Sequence, residues 1–357
     1  MWNVGKSGES EESPCSRAKG DTLSSPRQGD WAVLYQAATA FKQLSPWQWM
    51  EDDDLFAVEN PSDGELGYCA VMGSGAQEFG LAVFVGSEGL EGYRRIIMGE
   101  AEPQSFEAWA MFRSLSATFV DRDELQKQDY EVIRSLGLRF RGRNAWPLLR
   151  SQRPGYVPWY LDRQEALFLT TGLQQACQVA TEVRDKGLDL FRGADAGLIL
   201  GRYCDDGRWM EEWRRPRAAE REAGASEPPD ERRLHRLRKA AGKLDGSWEL
   251  DFFLLPTAVG SGSQRPYYPG CILAIKRRVG LIVGTELMGP CPSSTEKQEA
   301  VVRVLQGAEQ LPLEIRVARD EVRRIVEPVA QGLGISVRVV PLPMLEEARK
   351  GLFEHLL

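Results

Sequence analysis

The sequence predicts an α+β protein of two domains, and three observations carry that expectation. Residues 55–85 alternate short apolar runs with turn clusters of Pro, Gly, Ser and Asp, the pattern of an antiparallel meander. Residues 247–357 read strand, strand, strand, helix, strand, helix, strand, helix, and the alternation in the second half implies a partly parallel sheet. Between these regions, residues 214–230 shift to Arg, Ala, Glu, Gly and Pro, a linker composition. With 357 residues, 42% of them apolar, the chain is long enough to bury a substantial core.

Taken in order, residues 1–29 are rich in Ser, Gly and Glu and lack an apolar central segment. They predict a disordered tail and no secretory signal. Asp30 is placed to cap a helix over 31–44, where Leu34, Ala37, Ala38, Phe41 and Leu44 share one face and Pro46 stops the run. Strands follow at 55–58, 66–72 and 79–85, separated by Asn60-Pro61-Ser62-Asp63-Gly64 and Gly73-Ser74-Gly75. Helices are expected at 88–98 and 106–112, a strand at 115–120 and one helix over 122–136 ended by Gly137. Residues 138–161 contain Pro147, Pro154 and Pro158, so they are extended or looped. Asp162 begins a long helix through 184. Residues 198–203 and 208–213 pair as a hairpin across Asp205-Asp206-Gly207.

After the linker comes a basic helix at 231–244. Strands at 248–255, 271–276 and 281–287 then lead to helix 293–306, strand 313–317, helix 320–332, strand 335–340 and helix 342–356. The expected organisation is a tail (1–29), a first domain (30–203), a segment of hairpin, linker and basic helix (204–246) and a second domain (247–357). No repeat at a solenoid period is present.

Composition narrows the function classes. A net charge of −7 and a pI near 5.3 argue against a nucleic-acid coat, so nucleic acid is a disfavoured partner. They suit a cytoplasmic protein. The six cysteines include no C-x-x-C pair, which predicts reduced thiols packed as small hydrophobes. Only His235 and His355 exist, leaving little for a His-rich zinc site or a Ser-His pair, and both are expected at the surface. No apolar run approaches the ~18 residues of a membrane span, so no membrane association is expected.

Residues 45–92, together with Gly142-Arg143-Asn144-Ala145-Trp146-Pro147 and Pro154-Gly155-Tyr156-Val157-Pro158-Trp159, resemble an uncharacterised bacterial domain family. The part containing Trp248-Glu249-Leu250-Asp251 and Arg265-Pro266-Tyr267-Tyr268-Pro269 is similar to a second uncharacterised domain that follows it after a linker. The resemblance covers residues 30–357 and implies no activity. Some relatives carry a SEC-C type zinc motif, whose cysteines and histidine this chain lacks, so no zinc role is implied.

The C-terminal order βββαβαβα also resembles the ribonuclease-H-like fold. That resemblance implies a carboxylate on the first strand, another after the fourth, and a third on the last helix. Such a set holds two magnesium ions about 3.5–4 Å apart, which clamp a phosphodiester. The matching residues are Asp251, Asp320 and Glu346 or Glu347, with Glu296 or Glu299 as a fourth ligand. Asp320 is equally a helix cap, and Glu346 and Glu347 are equally solvated charges. Asp251 lies in an apolar strand where an unpaired carboxylate is expensive, although an edge position or an arginine partner would explain it.

Three other features are candidates. Trp47, Trp49, Trp146 and Trp159 would line an aromatic ligand cleft or serve packing. Arg232, Arg233 and Arg236, with Arg238 and Lys239, would contact phosphates or form a solvated face. Asp52, Asp53 and Asp54 would bind a cation or cap a neighbouring element. Gly73-Ser74-Gly75 and Gly260-Ser261-Gly262 lack the Lys-Ser/Thr of a phosphate loop and read as turns. The favoured expectation is a non-enzymatic binding or adaptor protein without a cofactor, engaging a protein or small ligand. The alternative is a magnesium-dependent nuclease built on Asp251, Asp320 and Glu346.

Overall fold

The computed structural model describes residues 24–75, 77–98, 106–187, 197–217, 230–260 and 264–356. The predicted tail and linker lie largely outside these residues, as does the turn at Ser261-Gly262. The chain forms helices and two sheets, an α+β architecture.

The first sheet has seven strands: β1 (Phe56–Glu59), β2 (Leu66–Met72), β3 (Phe79–Val85), β4 (Ser114–Val120), β5 (Trp146–Gln152), β6 (Ile199–Asp205) and β7 (Arg208–Arg214). Their order is β5-β4-β3-β2-β1-β6-β7. Every neighbour is antiparallel except β1 and β6, which run parallel with Phe56 opposite Leu200. Helices α1 (Gln28–Leu44) and α5 (Arg163–Lys186) cover one face, where Phe41, Phe56, Val71, Val83, Leu169 and Leu173 meet in a core. Helix α2 (Gly86–Ile97) covers the other face through Leu90 and Tyr93. The short helices α3 (Phe106–Ala110) and α4 (Lys127–Ser135) complete this unit.

Several boundaries differ from expectation for local reasons. Helix α1 starts two residues before Asp30, which sits in its first turn and accepts a hydrogen bond from the Arg27 N–H at 2.9 Å. The expected helix over 122–136 splits into a 3-10 turn and α4, each started by its own acidic residue three positions in. The proline-rich stretch contains β5. Pro147 is tolerated there because β5 lies at the sheet edge. The 199–214 hairpin turns through Asp206 and Gly207, both at positive φ. It belongs to the first sheet, so that sheet continues well past residue 203.

The second sheet is built from β8 (Ser247–Leu254), β9 (Gly270–Lys276), β10 (Leu281–Met288), β11 (Glu314–Val317) and β12 (Ser336–Val339), in the order β10-β9-β8-β11-β12. Strand β8 is central, antiparallel to β9 and parallel to β11. Helices α6 (Glu231–Ala240), α7 (Ser294–Gly307) and α8 (Asp320–Leu333) share a core with Trp248, Leu250 and Phe252. Helix α9 (Pro343–Leu356) packs on the other face against Phe253, Cys271 and Ile275. No helix among the described residues is long and apolar enough to cross a membrane.

The two units meet through loops. The Tyr268 N–H donates to the Gly155 carbonyl at 2.8 Å, and the Val157 N–H donates to the Pro266 carbonyl at 3.1 Å. Gly155 has φ +75°, and a Cβ there would stand 1.9 Å from the Pro290 carbonyl oxygen, so only glycine lets the two backbones approach this closely.

Candidate functional site

The carboxylate that stood out in the sequence has a structural occupation. Strand β11 pairs with β8 only over Ser247–Glu249. Beyond that point β8 has a free side whose backbone groups need partners. Asp251 Oδ1 accepts from the Phe252 N–H at 2.9 Å. Arg319 Nη2 donates to Asp251 Oδ1 at 2.8 Å and to the Phe252 carbonyl at 2.7 Å. Glu107, from α3 of the first unit, accepts the Leu254 N–H at 3.1 Å. Asp251 is 5% exposed. Burial works against the Arg319 charge, yet the adjacent Asp251 carboxylate holds the Arg319 pKa above its ordinary value. Asp251 therefore closes the unpaired stretch of a central strand together with an arginine partner.

The remaining nuclease candidates do not join it. Asp320 is the first residue of α8 rather than its cap, and it points to solvent beside Arg323 at 3.0 Å. Glu346 and Glu347 are exposed on α9. Glu296 caps α7 by accepting the Ser293 N–H at 2.8 Å, and Glu299 pairs with Arg233 at 2.5 Å. Among the described residues no group of three or more His, Cys, Asp or Glu is arranged to hold a metal ion.

Sequence reasoning passed over Glu249, two residues before Asp251 on the same face of β8. It is wholly buried and accepts the Leu345 N–H in the first turn of α9 at 2.9 Å, with Arg277 at 3.7 Å. The period-two spacing with Asp251 was the available signal.

The tryptophans occupy separate settings rather than one cleft. Trp47 packs among Phe41, Phe79 and Phe119. Trp49 donates its indole N–H to the Ala180 carbonyl at 2.9 Å, tying the post-α1 turn to α5. Trp146 stacks near Phe140 and Tyr130. Trp159 pairs through its backbone with Ser151, beside β5. The acidic triplet is also spent locally: Asp52 Oδ1 accepts from the Gly73 N–H and the Ser74 hydroxyl, so it caps the second turn of the meander.

A charged cluster lies under the junction. Glu165 is 4% exposed, accepts from Ser151 Oγ at 2.8 Å and pairs with Arg153 at 2.8 Å. Arg153 also holds Asp162, the N-cap of α5, at 2.7 Å. Burial pushes the Glu165 carboxyl up, but Arg153 outweighs it and leaves the pKa below its usual value. Burial pushes Asp162 up, helped by the Glu165 charge, and there burial wins. From the second unit Arg265 donates to the Val157 carbonyl at 3.1 Å and to the Ser151 carbonyl. Burial and the like charge of Arg153 bring its pKa down to about 10, which still leaves the guanidinium charged at neutral pH.

The basic helix α6 remains outward-facing. Leu234 is buried over Gly332, and Leu237 joins the same core. The opposite face presents Arg232, His235, Arg236 and Lys239, all exposed and spaced i, i+3, i+4, i+7. Arg233 differs: it is drawn into the fold by Glu299 and by Gln306 at 2.8 Å. A depression beside the helix is lined by Glu231, Arg232, Leu234, His235, Arg236, Arg238 and Gly332. Burial raises the Cys69 thiol, raises Cys271 and pushes Cys177 up to about 11, which disfavours the thiolate at these three positions.

Residues 31–202 match the family model described as Domain of unknown function (DUF7309), and residues 233–353 match Domain of unknown function (DUF6930). No curated protein matches the chain. The α6 helix and second sheet fall in the second match, the seven-stranded sheet mostly in the first. The chain thus carries two successive matches to domains of unknown function, one over most of the first unit and one over the second.

Proposed function

We propose that this chain is a non-enzymatic binding or adaptor protein of the bacterial cytoplasm, and that its partner is an acidic protein segment seated on α6. The observation that carries this reading is a contrast in how charges are used. The carboxylates that would make a magnesium site are engaged in holding backbone, or they stand apart in solvent. Arg232, His235, Arg236 and Lys239 form an exposed stripe without an ion pair among the described residues. A local cationic stripe on a chain of net charge −7 steers an acidic segment to one place. The same net charge opposes a long polyanion such as nucleic acid, and a three-turn helix meets few phosphates. The ribonuclease-H-like arrangement would then serve as a scaffold without catalysis.

The test is fluorescence anisotropy with a labelled oligo-glutamate peptide and a single-stranded DNA of equal charge. The peptide is expected to bind at low salt and to weaken as salt rises. Arg232→Glu with Arg236→Glu is expected to lower its affinity by about tenfold or more. Equal or tighter binding of the DNA, or indifference to the charge reversals, would refute the acidic-segment reading. Magnesium-dependent cleavage of DNA or RNA that disappears in Asp251→Asn would instead establish the nuclease alternative.

A further inference from the structure

We infer that the acidic stretch from Glu9 to Glu12 docks on an arginine loop of the same chain, residues 134–143, and closes it to other anions. The inference is independent of the α6 reading. Residues 132–161 contain six arginines and no Asp, Glu or Lys, on a chain of net charge −7. Two of the six are spent inside the fold, Arg150 on Asp129 at 2.7 Å and Arg153 on Glu165 at 2.8 Å. Arg134, Arg139, Arg141 and Arg143 are exposed at the end of α4 and in the loop leading to β5, without an ion pair among the described residues. Phe140 anchors that loop by packing on Tyr35 of α1 and on Trp146, at ring separations of 6.3 and 5.7 Å. Arg139 and Arg141, on either side of it, are left in solvent. The carboxylates of neighbouring elements are engaged elsewhere. Asp121 accepts the Asn144 N–H at 2.7 Å, Glu124 accepts the Asp121 N–H at 2.9 Å, and Glu131 lies 3.8 Å from Lys127. Asp123 stands exposed beside Arg122, which lies over the Tyr130 ring. Like charges held this close repel one another until an anion joins them.

The chain's own N-terminal segment is the occupant because of where the polypeptide enters the fold. The Ser24 carbonyl accepts the Arg163 N–H at 3.0 Å, and Gln28 donates its side-chain amide to the Ser135 carbonyl at 3.4 Å, next to Arg134. The entry point thus lies beside the arginine loop, whereas α6 belongs to the second unit. Residues 7–16 carry Glu9, Glu11 and Glu12 and no cation. Glu12 precedes Ser24 by 12 positions, a reach of up to about 40 Å. Guanidinium groups take carboxylates in paired hydrogen bonds, so three glutamates suit this loop. Linkage in one chain supplies an effective concentration of about millimolar, so even a weak contact is populated.

Phenylglyoxal, which attacks free guanidinium groups, tests this on the full chain, with the rate at each arginine read by mass spectrometry. At low salt Arg139, Arg141 and Arg143 are expected to react about twofold or more faster in the triple variant Glu9→Gln/Glu11→Gln/Glu12→Gln than in wild type. The conservative variant Glu9→Asp/Glu11→Asp/Glu12→Asp is expected to keep the wild-type rates. The gap is expected to close as salt rises to 1 M. Arg232 and Arg236 on α6 are expected to react alike in all three proteins. The three substituted positions lie outside both sheets, and equal circular dichroism melts confirm that the fold is unchanged. Equal rates at the loop arginines in wild type and the Gln variant would overturn the inference. So would a rate change at Arg232 and Arg236 instead, or protection that grows with protein concentration and so belongs to a second copy.

Discussion

In the first sheet the outer strands are closed by the chain itself. Strand β5 carries Pro147, and its following loop folds back so that Trp159 pairs with Ser151. Strand β7 places Arg208, Glu211, Glu212 and Arg214 among seven residues. In the second sheet the free side of β8 is closed by Asp251, Arg319 and Glu107, whereas β10 shows aliphatic side chains to solvent. The difference teaches how to read a costly residue. A buried carboxylate in a strand is first a candidate for satisfying backbone, and an apolar outer strand is first a candidate for a partner.

The largest way to break this comparison is Gly155→Ala. It forces a left-handed residue and a backbone clash at the loop that closes β5 against the second unit. We expect a loss of about 3 kcal/mol or more in urea unfolding, with protease cleavage appearing in the 153–159 loop. A loss below about 1 kcal/mol would mean that the junction does not hold.

Next comes Arg153→Met, which strands Glu165 and Asp162. We expect a loss of about 2–4 kcal/mol at neutral pH. The pH dependence has a definite sign. The Glu165 pKa is depressed in the fold, so its contribution is present above the unfolded carboxylate value of about 4.3 and is lost as pH falls through the lower folded value. Asp162 is raised and offsets part of this, because its charged form is disfavoured in the fold. The gap between wild type and variant is therefore expected to close in acid, and a gap that widens there would contradict the assignment.

Smaller still, Arg319→Ala is expected to cost about 1.5–3 kcal/mol by unpairing Asp251 and the Phe252 carbonyl. Asp251→Asn keeps an acceptor for the Phe252 N–H and is expected to cost about 1 kcal/mol. The smallest effect on stability is expected for Ile282→Lys, within about 0.5 kcal/mol for the isolated chain, since its side chain is already half in water. A larger loss at low protein concentration would mean that β10 is closed from within.

Local pattern made much of this legible. Strands β2 and β3 fall where short apolar runs between turn residues put them, and Asp162 caps α5 by accepting the Glu165 N–H at 2.9 Å. Non-local pairing was not legible. Nothing in residues 56–59 announces a parallel partner at 200–202, so the hairpin was assigned to the inter-domain segment. Pro147 concealed β5, because proline signals a strand only when the edge position is already known. At Asp251 the composition flagged an expensive residue, and of its two explanations the arginine partner holds, whereas β8 is the central strand and not an edge. Arg319, 68 positions away, carries no local mark of that role.

The parallel pairing of β1 with β6 has a consequence for biogenesis. When Phe56–Glu59 leaves the ribosome beside β2, its other side has no partner until Ile199–Asp205 is made, about 140 residues later. At ordinary translation speeds that wait is on the order of ten seconds. During it, the free side of β1 is an open template in a crowded cell. The nascent first unit is expected to be a chaperone client, and its folding to complete only after the β6–β7 hairpin has docked.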